Sequence, residues 1–491
     1  MNYDAIKYVL LRLIRLMGAL LVPPLLVCLY YREWIDAAIF AAVAAVCILI
    51  GYVTAIKGKT EGKAFYAREG LVITAFAWII FSLIGAIPFS LTGSTDNYLD
   101  SVFETVSGFT TTGSTIMTDP SVLGHGIQFW RCFTHWVGGM GILVFLLTIM
   151  PMTGGYSMHL MRAESPGPTV GKYVPKVKDT AKILYGIYIG ITVTETILLM
   201  ISGLSLYEAL CVTFSTVGTG GFGLYPASCG VYSVASRTII TVFMAMCGIN
   251  FSVYYFLLKR KWKEAWNCDE MRFYLMTIFA SALLISWNAM RAGIFDAFGE
   301  AFHHSLFTVT SIMTTTGFAS IDYNGWPQFS RTLIIILTFV GACAGSTGGG
   351  FKISRIVILV KNARNEIHRA IHPKSVHKVN MDGHVVEEDT VRSVSAYLAI
   401  YVMVFLISFL LVAFFESISV IDMERFDFET NLTAVAATLN NVGPGLNLVG
   451  PAGGFHDFTW ASKIVLIFDM LAGRLELMPI LILGSRHTWR K

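Results

Sequence analysis

Apolar and polar positions along the chain mark out two kinds of segment. Runs of about 20 apolar residues, the length a helix needs to cross the hydrocarbon core of a bilayer, cover 13–31, 37–56, 70–91, 127–150, 183–203, 236–258, 273–292, 331–360, 394–415 and 463–485. From the third run onward, a shorter and only moderately apolar stretch, followed by a Gly-containing loop, lies between the members of each successive pair. The order helix, short helix, loop, helix therefore occurs four times, after a first helical pair that lacks the short element. This pattern predicts an all-α polytopic membrane protein of ten membrane spans. Four pseudo-repeated helix, pore-helix, filter, helix units surround one pore and follow an extra helical pair. The expected divisions are 1–62 for the N-terminal pair and 63–160, 161–265, 266–365 and 366–491 for the repeats.

The loops carry a recurring phrase: Thr111-Thr112-Gly113, Gly218-Thr219-Gly220, Thr315-Thr316-Gly317 and Asn441-Val442-Gly443. One Thr-Gly pair is a common turn, but four at the same place in a repeat require another reason. A filter that turns backbone carbonyls towards an ion needs backbone angles that a Cβ opposes, and a hydroxyl or amide beside the glycine adds oxygen to the same ring. The phrase therefore reads as one selectivity filter in four parts, with all twelve residues as candidate ion ligands. Asn441-Val442 departs from the others in having no hydroxyl beside the glycine. A Gly recurs in each following helix, at Gly141, Gly248, Gly341 and Gly473, and a basic residue opens each, at Arg131, Arg237, Arg331 and Lys463.

Composition agrees with a chain immersed in lipid, at 55% hydrophobic and 14% charged over 491 residues. The net charge of +4 is spread over short loops, so no nucleic-acid partner is implied. With both termini cytoplasmic, the great majority of the 36 Lys and Arg fall on the inner side, which places all four filter loops outside. Asp422, Glu424 and Asp427 in an outer loop suit an acidic vestibule, and a plain solvated loop accounts for them equally well. The eight cysteines show no metal or disulfide spacing, and His368, His372, His377 and His384 read as a solvated cytoplasmic loop. Gly218 to Gly223 matches GxGxxG without a helix after it. Gly345 to Lys352 approaches a phosphate loop but has Phe351 where the motif needs Lys, so neither indicates a nucleotide site.

The eighth run holds five glycines between Gly341 and Gly350. Unpaired backbone at membrane depth is tolerated only where it is buried in protein or lines water, so Gly345-Ser346-Thr347-Gly348-Gly349-Gly350 is expected to unwind into a gate below the filter. Close helix packing through the Gly341 and Gly345 spacing is the alternative. Arg474 lies deep in the last run, where a charge costs at least ~2.5 kcal/mol, and its neighbours three and four residues away carry no acid. It is expected to act with the gate as an electrostatic barrier. Pairing with an acid from another helix, such as Glu195, is the other possibility.

The four phrases, the segment Gly341 to Gly350 and the run Ala472-Gly473-Arg474-Leu475-Glu476 together resemble the Trk/Ktr/HKT superfamily of potassium transporters, over essentially the whole chain. The resemblance implies potassium uptake across the bacterial inner membrane and a homodimer with one pore per protomer. It also implies a cytoplasmic nucleotide-binding regulatory partner of the TrkA type. Potassium is then the transported ion, with no organic cofactor in this chain. In that superfamily a Ser at the first filter glycine accompanies sodium permeation, where this chain has Gly113. A carrier coupling potassium to protons or sodium fits the same residues as a channel does. An intramembrane enzyme would need a nucleophile or metal pair, and His135, His303 and His304 have no partners at such spacing.

Overall fold

The long apolar helices form an outer wall, and shorter polar-ended helices stand inside it. The computed structural model describes residues 1–55, 67–141, 177–375, 377–419 and 426–489. Helices α1 (Tyr3–Leu20) and α2 (Val22–Tyr31) run on as one apolar span, with Pro23 and Pro24 in the first turn of α2, where a missing N–H costs least. Helix α3 (Trp34–Ala55) packs back along α1, and the contact is close because Gly18 lacks a side chain: a Cβ there would lie 2.8 Å from Ala44 O.

Four units follow. The first is α4 (Ala67–Leu91), α5 (Tyr98–Phe109) and α6 (His125–Gly139). The second is α7 (Val177–Ile201), α8 (Leu206–Val217), the pair α9 (Val234–Cys247) and α10 (Phe251–Leu258), and a short α11 (Trp262–Trp266). The third is α12 (Asp269–Arg291), α13 (Phe298–Met313), α14 (Gln328–Val340) and α15 (Ile353–Ile371). The fourth is α16 (Glu388–Ser419), α17 (Phe428–Leu439), α18 (Trp460–Arg474), α19 (Met478–Gly484) and α20 (Arg486–Trp489). Three of the inner helices start on side-chain caps: Asn97 for α5, Ser205 in a capping box with Glu208 for α8, and Asp427 for α17. Each inner helix α5, α8, α13 and α17 packs between the helix before it and the helix after it, and contacts also run α6 to α8, α9 to α13, α14 to α17 and α18 to α5. The last of these joins the fourth unit to the first and closes the circuit.

Four of the ten apolar runs are not continuous helices. Among the described residues six helices are long and apolar enough to cross a bilayer, and α9 with α10, bent by 92° to one another, reach that length and apolarity only when taken together. The run at 127–150 leaves helix after Gly139; 236–258 turns at Gly248 and Asn250, whose side chain caps α10; 331–360 is non-helical from Gly341 to Lys352; and 463–485 breaks at Glu476 and Leu477, both at positive φ. Two of the breaks bond to each other, Cys343 N–H donating to Gly248 O (3.0 Å) and Phe251 N–H to Gly345 O (3.0 Å), while at the last break Leu477 N–H turns back to Ala472 O (2.7 Å). The N-terminal pair is fastened to the first unit by Glu33, whose carboxylate caps the start of α6 by accepting from the N–H groups of His125 (2.7 Å) and Gly126 (2.9 Å).

On the other side of the molecule a small hairpin, β1 (Asn380–Met381) and β2 (His384–Val385), turns on Asp382-Gly383, with φ of 53° and 79°. That is the two-residue turn for which Asp-Gly is the strongest short sequence signal, although the stretch reads as plain loop from its irregular histidines. Val379, Met381 and Val386 pack with Ile358 of α15 and Val394 of α16.

Candidate functional site

The four short helices end in one and the same way. Their C-cap residues are Thr110, Gly218, Thr314 and Asn440. The next residues, Thr111, Thr219, Thr315 and Asn441, take the left-handed conformation, with φ of 56°, 56°, 60° and 54°. The residues after those, Thr112, Gly220, Thr316 and Val442, send their N–H back to Ser107, Ser215, Ser311 and Ala437 at 2.8–2.9 Å, the bond that closes a Schellman-type cap. Then come Gly113, Gly221, Gly317 and Gly443, all at φ between 78° and 100°.

This alignment corrects one of the four phrases. In the second unit the phrase equivalent to Thr111-Thr112-Gly113 is Thr219-Gly220-Gly221; Gly218-Thr219-Gly220 begins one residue too early. Two Thr-Gly readings are possible in Gly218-Thr219-Gly220-Gly221, and only the backbone conformation chooses between them. The helix glycines are not equivalent either. Gly141 and Gly341 stand at breaks with positive φ, Gly248 is the C-cap of α9, and Gly473 lies inside α18 against Leu439 O, as Gly138 lies against Phe109 O.

The four glycines interlock. A Cβ on Gly113 would overlap the carbonyl oxygen of Gly220, one on Gly221 that of Thr316, and one on Gly317 that of Val442, while one on Gly443 would lie 2.7 Å from Thr112 O. Each glycine thus gives up its side-chain space to the carbonyl of the next unit, and the circuit closes from the fourth unit to the first. Ser114 Oγ donates to Gly443 O (3.1 Å) and Phe455 N–H to Thr115 O (2.8 Å) at the same seam. The four glycines also share the floor of a cavity of about 80 Å³, whose walls include Thr115, Met117, Tyr225 and Pro444. Asn441 turns its amide nitrogen sideways, donating to Thr112 Oγ1 (2.9 Å) and Met470 O (2.8 Å).

The basic residues near the start of α6, α14 and α18 tie neighbouring units together. Arg131 reaches Glu104 at 2.5 Å, donates to Gly223 O of the second unit (2.9 Å) and lies over the Phe222 ring. Glu104 in turn accepts from Ile116 N–H (3.0 Å) and the Thr115 hydroxyl. Arg331 pairs with Glu429 (2.5 Å) in the fourth unit, and Lys463 with Asp100 (2.7 Å) in the first. Arg237 makes no ion pair among the described residues. Asp427 is a helix cap, while Asp422 and Glu424 lie outside the described residues. His135 is a strut, with Nδ1 on Gly108 O (2.7 Å) and Nε2 accepting from Phe222 N–H (3.3 Å).

Directly inside the ring lie the glycine-rich segment and Arg474. Gly341 to Lys352 is non-helical, Gly341 ending α14 and Gly345, at φ 68°, lying in the loop, so these two glycines do not share a helix face, while the segment is closely packed: a Cβ on Gly341 would lie 3.1 Å from Gly349 O. Gly349 N–H donates to Thr315 Oγ1 (2.6 Å), and Cβ atoms on Gly348 and Gly349 would press on Thr314 O and Asn440 O. The Arg474 guanidinium donates to Thr111 Oγ1 (3.1 Å), Thr347 O (2.8 Å), Gly139 O (3.1 Å) and Gly138 O. It joins the first phrase, the end of α6 and the loop. It does not bond Glu195, neither of whose buried oxygens has a hydrogen-bond partner among the described residues.

Lys352, Arg355 and Glu270 are not among the candidate site residues read from the sequence. Lys352, there only the end of a phosphate-loop lookalike, is 2% exposed and sets its ammonium on Gly348 O and Gly349 O. Thus the lysine that mimics a phosphate loop is spent on the loop's own carbonyls. Arg355 and Glu476 pair at 2.5 Å beside it. Glu270, at the start of α12, accepts from Ala344 N–H (2.6 Å) and Ser354 N–H (3.1 Å) on either side of the loop. Only their position next to the glycine run could have drawn attention to Lys352 and Arg355, and nothing local marks Glu270.

The profile of the TrkH family, described as cation transport protein, matches residues 37–489. The chain is similar to the Trk system potassium uptake protein TrkH of Salmonella typhimurium, 34% identical with all of both chains covered. It is also similar to the Trk system potassium uptake protein TrkG of Escherichia coli, 30% identical over 96% of this chain and 95% of the relative. The crystal structure of the potassium transporter TrkH from Vibrio parahaemolyticus superposes with a TM-score of 0.86, at 30% identity and full coverage of both chains.

Proposed function

The chain belongs to the TrkH family of cation transport proteins, and from that premise we propose that it takes up potassium through a single four-repeat pore across the bacterial inner membrane. The observation that carries this reading is the closed ring of glycines and carbonyls. Removing the side chain at Gly113, Gly221, Gly317 and Gly443 lets the carbonyls of Thr112, Gly220, Thr316 and Val442 approach one axis, where they replace part of the hydration shell of a potassium ion. A ring this shallow holds fewer dehydrated ions than a long stacked filter, so it discriminates against sodium only moderately. The 80 Å³ cavity above the glycines is then the outer mouth. Positive-inside charge favours both termini in the cytoplasm.

Beneath the ring, the loop Gly345 to Gly350 with Arg474 and Lys352 forms a closed gate. Two fixed cations and a backbone segment occupy the space an ion must cross. A homodimer with one pore per protomer, and a cytoplasmic nucleotide-binding partner of the TrkA type that acts on the gate, complete the proposal. The test is a reversal potential in mixed potassium and sodium. Gly113→Ser and Gly221→Ser should each move it towards sodium, since either side chain displaces a ring carbonyl; an unchanged value in folded protein would remove these glycines from the filter. The same recordings repeated with and without a proton gradient separate a channel, whose reversal follows potassium alone, from a proton-coupled carrier.

A further inference from the structure

We propose that Glu270 is the latch of the Gly345–Gly350 gate and that the cytoplasmic hairpin 380–385 is the lever that works it, an inference that rests on the gate reading above. Both ends of the glycine-rich segment converge on a single carboxylate oxygen. Glu270 Oε1 accepts from Ala344 N–H at 2.6 Å and from Ser354 N–H at 3.1 Å. The segment between those two residues holds every glycine from Gly345 to Gly350, so its entry and exit are pinned to one point on α12. Glu270 is 3% exposed, and without its oxygen two buried N–H groups lose their acceptor. Hydrogen bonds to a carboxylate are also stronger than those between neutral groups.

The pinning point is connected to the surface. Asp269, the neighbour of Glu270, donates its N–H to Asp382 Oδ1 in the hairpin turn at 2.7 Å. Its carboxylate accepts from Lys361 of α15 (2.9 Å), and the same ammonium bonds Asn380 O in the first hairpin strand (2.8 Å). The first turn of α12, the helix that leaves the loop and the hairpin are therefore fixed to one another by polar contacts. The inner face of the hairpin is anchored on Ile358 and Val394, whereas Gly383, His384 and Val385 at its tip are exposed. A force on the tip moves Asp382 against α12, and with it the oxygen that holds the loop. The position of Glu270 makes it a positioning residue: it touches the gate backbone and stands apart from the ring itself.

The full chain, reconstituted in liposomes, tests this by rubidium uptake per folded protein. Glu270→Ala should raise basal uptake on the order of tenfold, roughly what one net hydrogen bond of a buried group is worth, and Glu270→Gln, which keeps an acceptor oxygen, should rescue the closed behaviour. Ser354→Pro removes one donor at the first turn of α15, where proline is tolerated, and should raise uptake even if Glu270→Ala folds poorly. Asp382→Ala should raise uptake by a smaller factor and add nothing on top of Glu270→Ala. Additive effects would overturn the lever. Unchanged uptake in Glu270→Ala and Ser354→Pro, alongside a rise on shortening Gly345–Gly350, would overturn the latch and leave the gate standing. If the shortened loop is also without effect, the gate reading itself falls, and the latch with it.

Discussion

Gly221 and Arg474 show how much a single residue decides. Gly221 has φ of 78° and no room for a Cβ beside Thr316 O, so Gly221→Ala must move a ring carbonyl. Left-handed strain alone costs about 1 kcal/mol, and rubidium uptake should fall at least tenfold in protein that still elutes as folded. Arg474 carries a charge just inside the ring. At an effective dielectric of about 20, two unit charges some 6 Å apart repel by roughly 3 kcal/mol, on the order of a hundredfold in rate. Arg474→Ala should therefore raise uptake. Arg474→Lys keeps the charge but loses the planar fork that reaches Thr111, Gly139 and Thr347 together, and should fall between parent and Ala. Equal uptake in all three, per folded protein, would show that the charge does not stand in the ion's path.

Among the elements, α6 depends on a cap supplied from elsewhere. Its own N-cap, Gly124, has no side chain, and Glu33 from the N-terminal pair takes over that role. Glu33→Ala should cost about 0.5–2 kcal/mol, the usual worth of a cap, read as a lower thermal unfolding midpoint. Burial pushes the Glu33 carboxyl up, but the N–H groups of Gly126 and His125 and the His125 ring outweigh it, so the net shift is downward. A depressed carboxyl contributes stability that is present above its unfolded value, near 4.5, and is lost as pH falls through its folded value. The parent should thus lose more stability than Glu33→Gln on acidification below about pH 4.5; parallel pH profiles would refute the cap.

Across the whole molecule, the ion pairs that cross between units hold the circuit shut. Lys463 of the fourth unit and Asp100 of the first are both nearly buried, at 8% and 9% side-chain exposure. Asp100→Asn strands a buried lysine and should cost about 3–5 kcal/mol, whereas Asp100→Leu with Lys463→Met should cost much less, because it removes both charges. Thermal unfolding in detergent compares the two, and equal losses would mean the pair is not what joins the units. Sidedness is a property of the same scale. With the native cysteines replaced, Val231→Cys, which is 53% exposed, should react with an impermeant reagent from outside intact cells. Gly383→Cys at the hairpin tip should react only after the membrane is opened; labelling of Gly383→Cys in intact cells would invert the topology.

The membrane class, the helix, short helix, loop order and the family are all legible in the amino-acid sequence, because they rest on periodicity, run length and recurring glycines, which are local properties. So are the phrases Thr111 to Gly113, Thr315 to Gly317 and Asn441 to Gly443, and the unwinding at Gly345 to Gly350. The register of the second phrase is not. There Thr219-Gly220-Gly221 competes with Gly218-Thr219-Gly220, and the choice depends on which glycine faces Thr316 of another unit. The breaks after α6, α9, α14 and α18 are likewise hidden, since an apolar run has the same composition whether straight or bent, and at Gly248 and Gly345 the opened backbone bonds to another unit. Lys352 and Glu270 escape for the same reason. Their roles consist of bonds to backbone groups: Lys352 reaches carbonyls three and four residues back only because the segment is unwound, and Glu270 reaches Ala344 and Ser354 through packing between elements far apart in the chain.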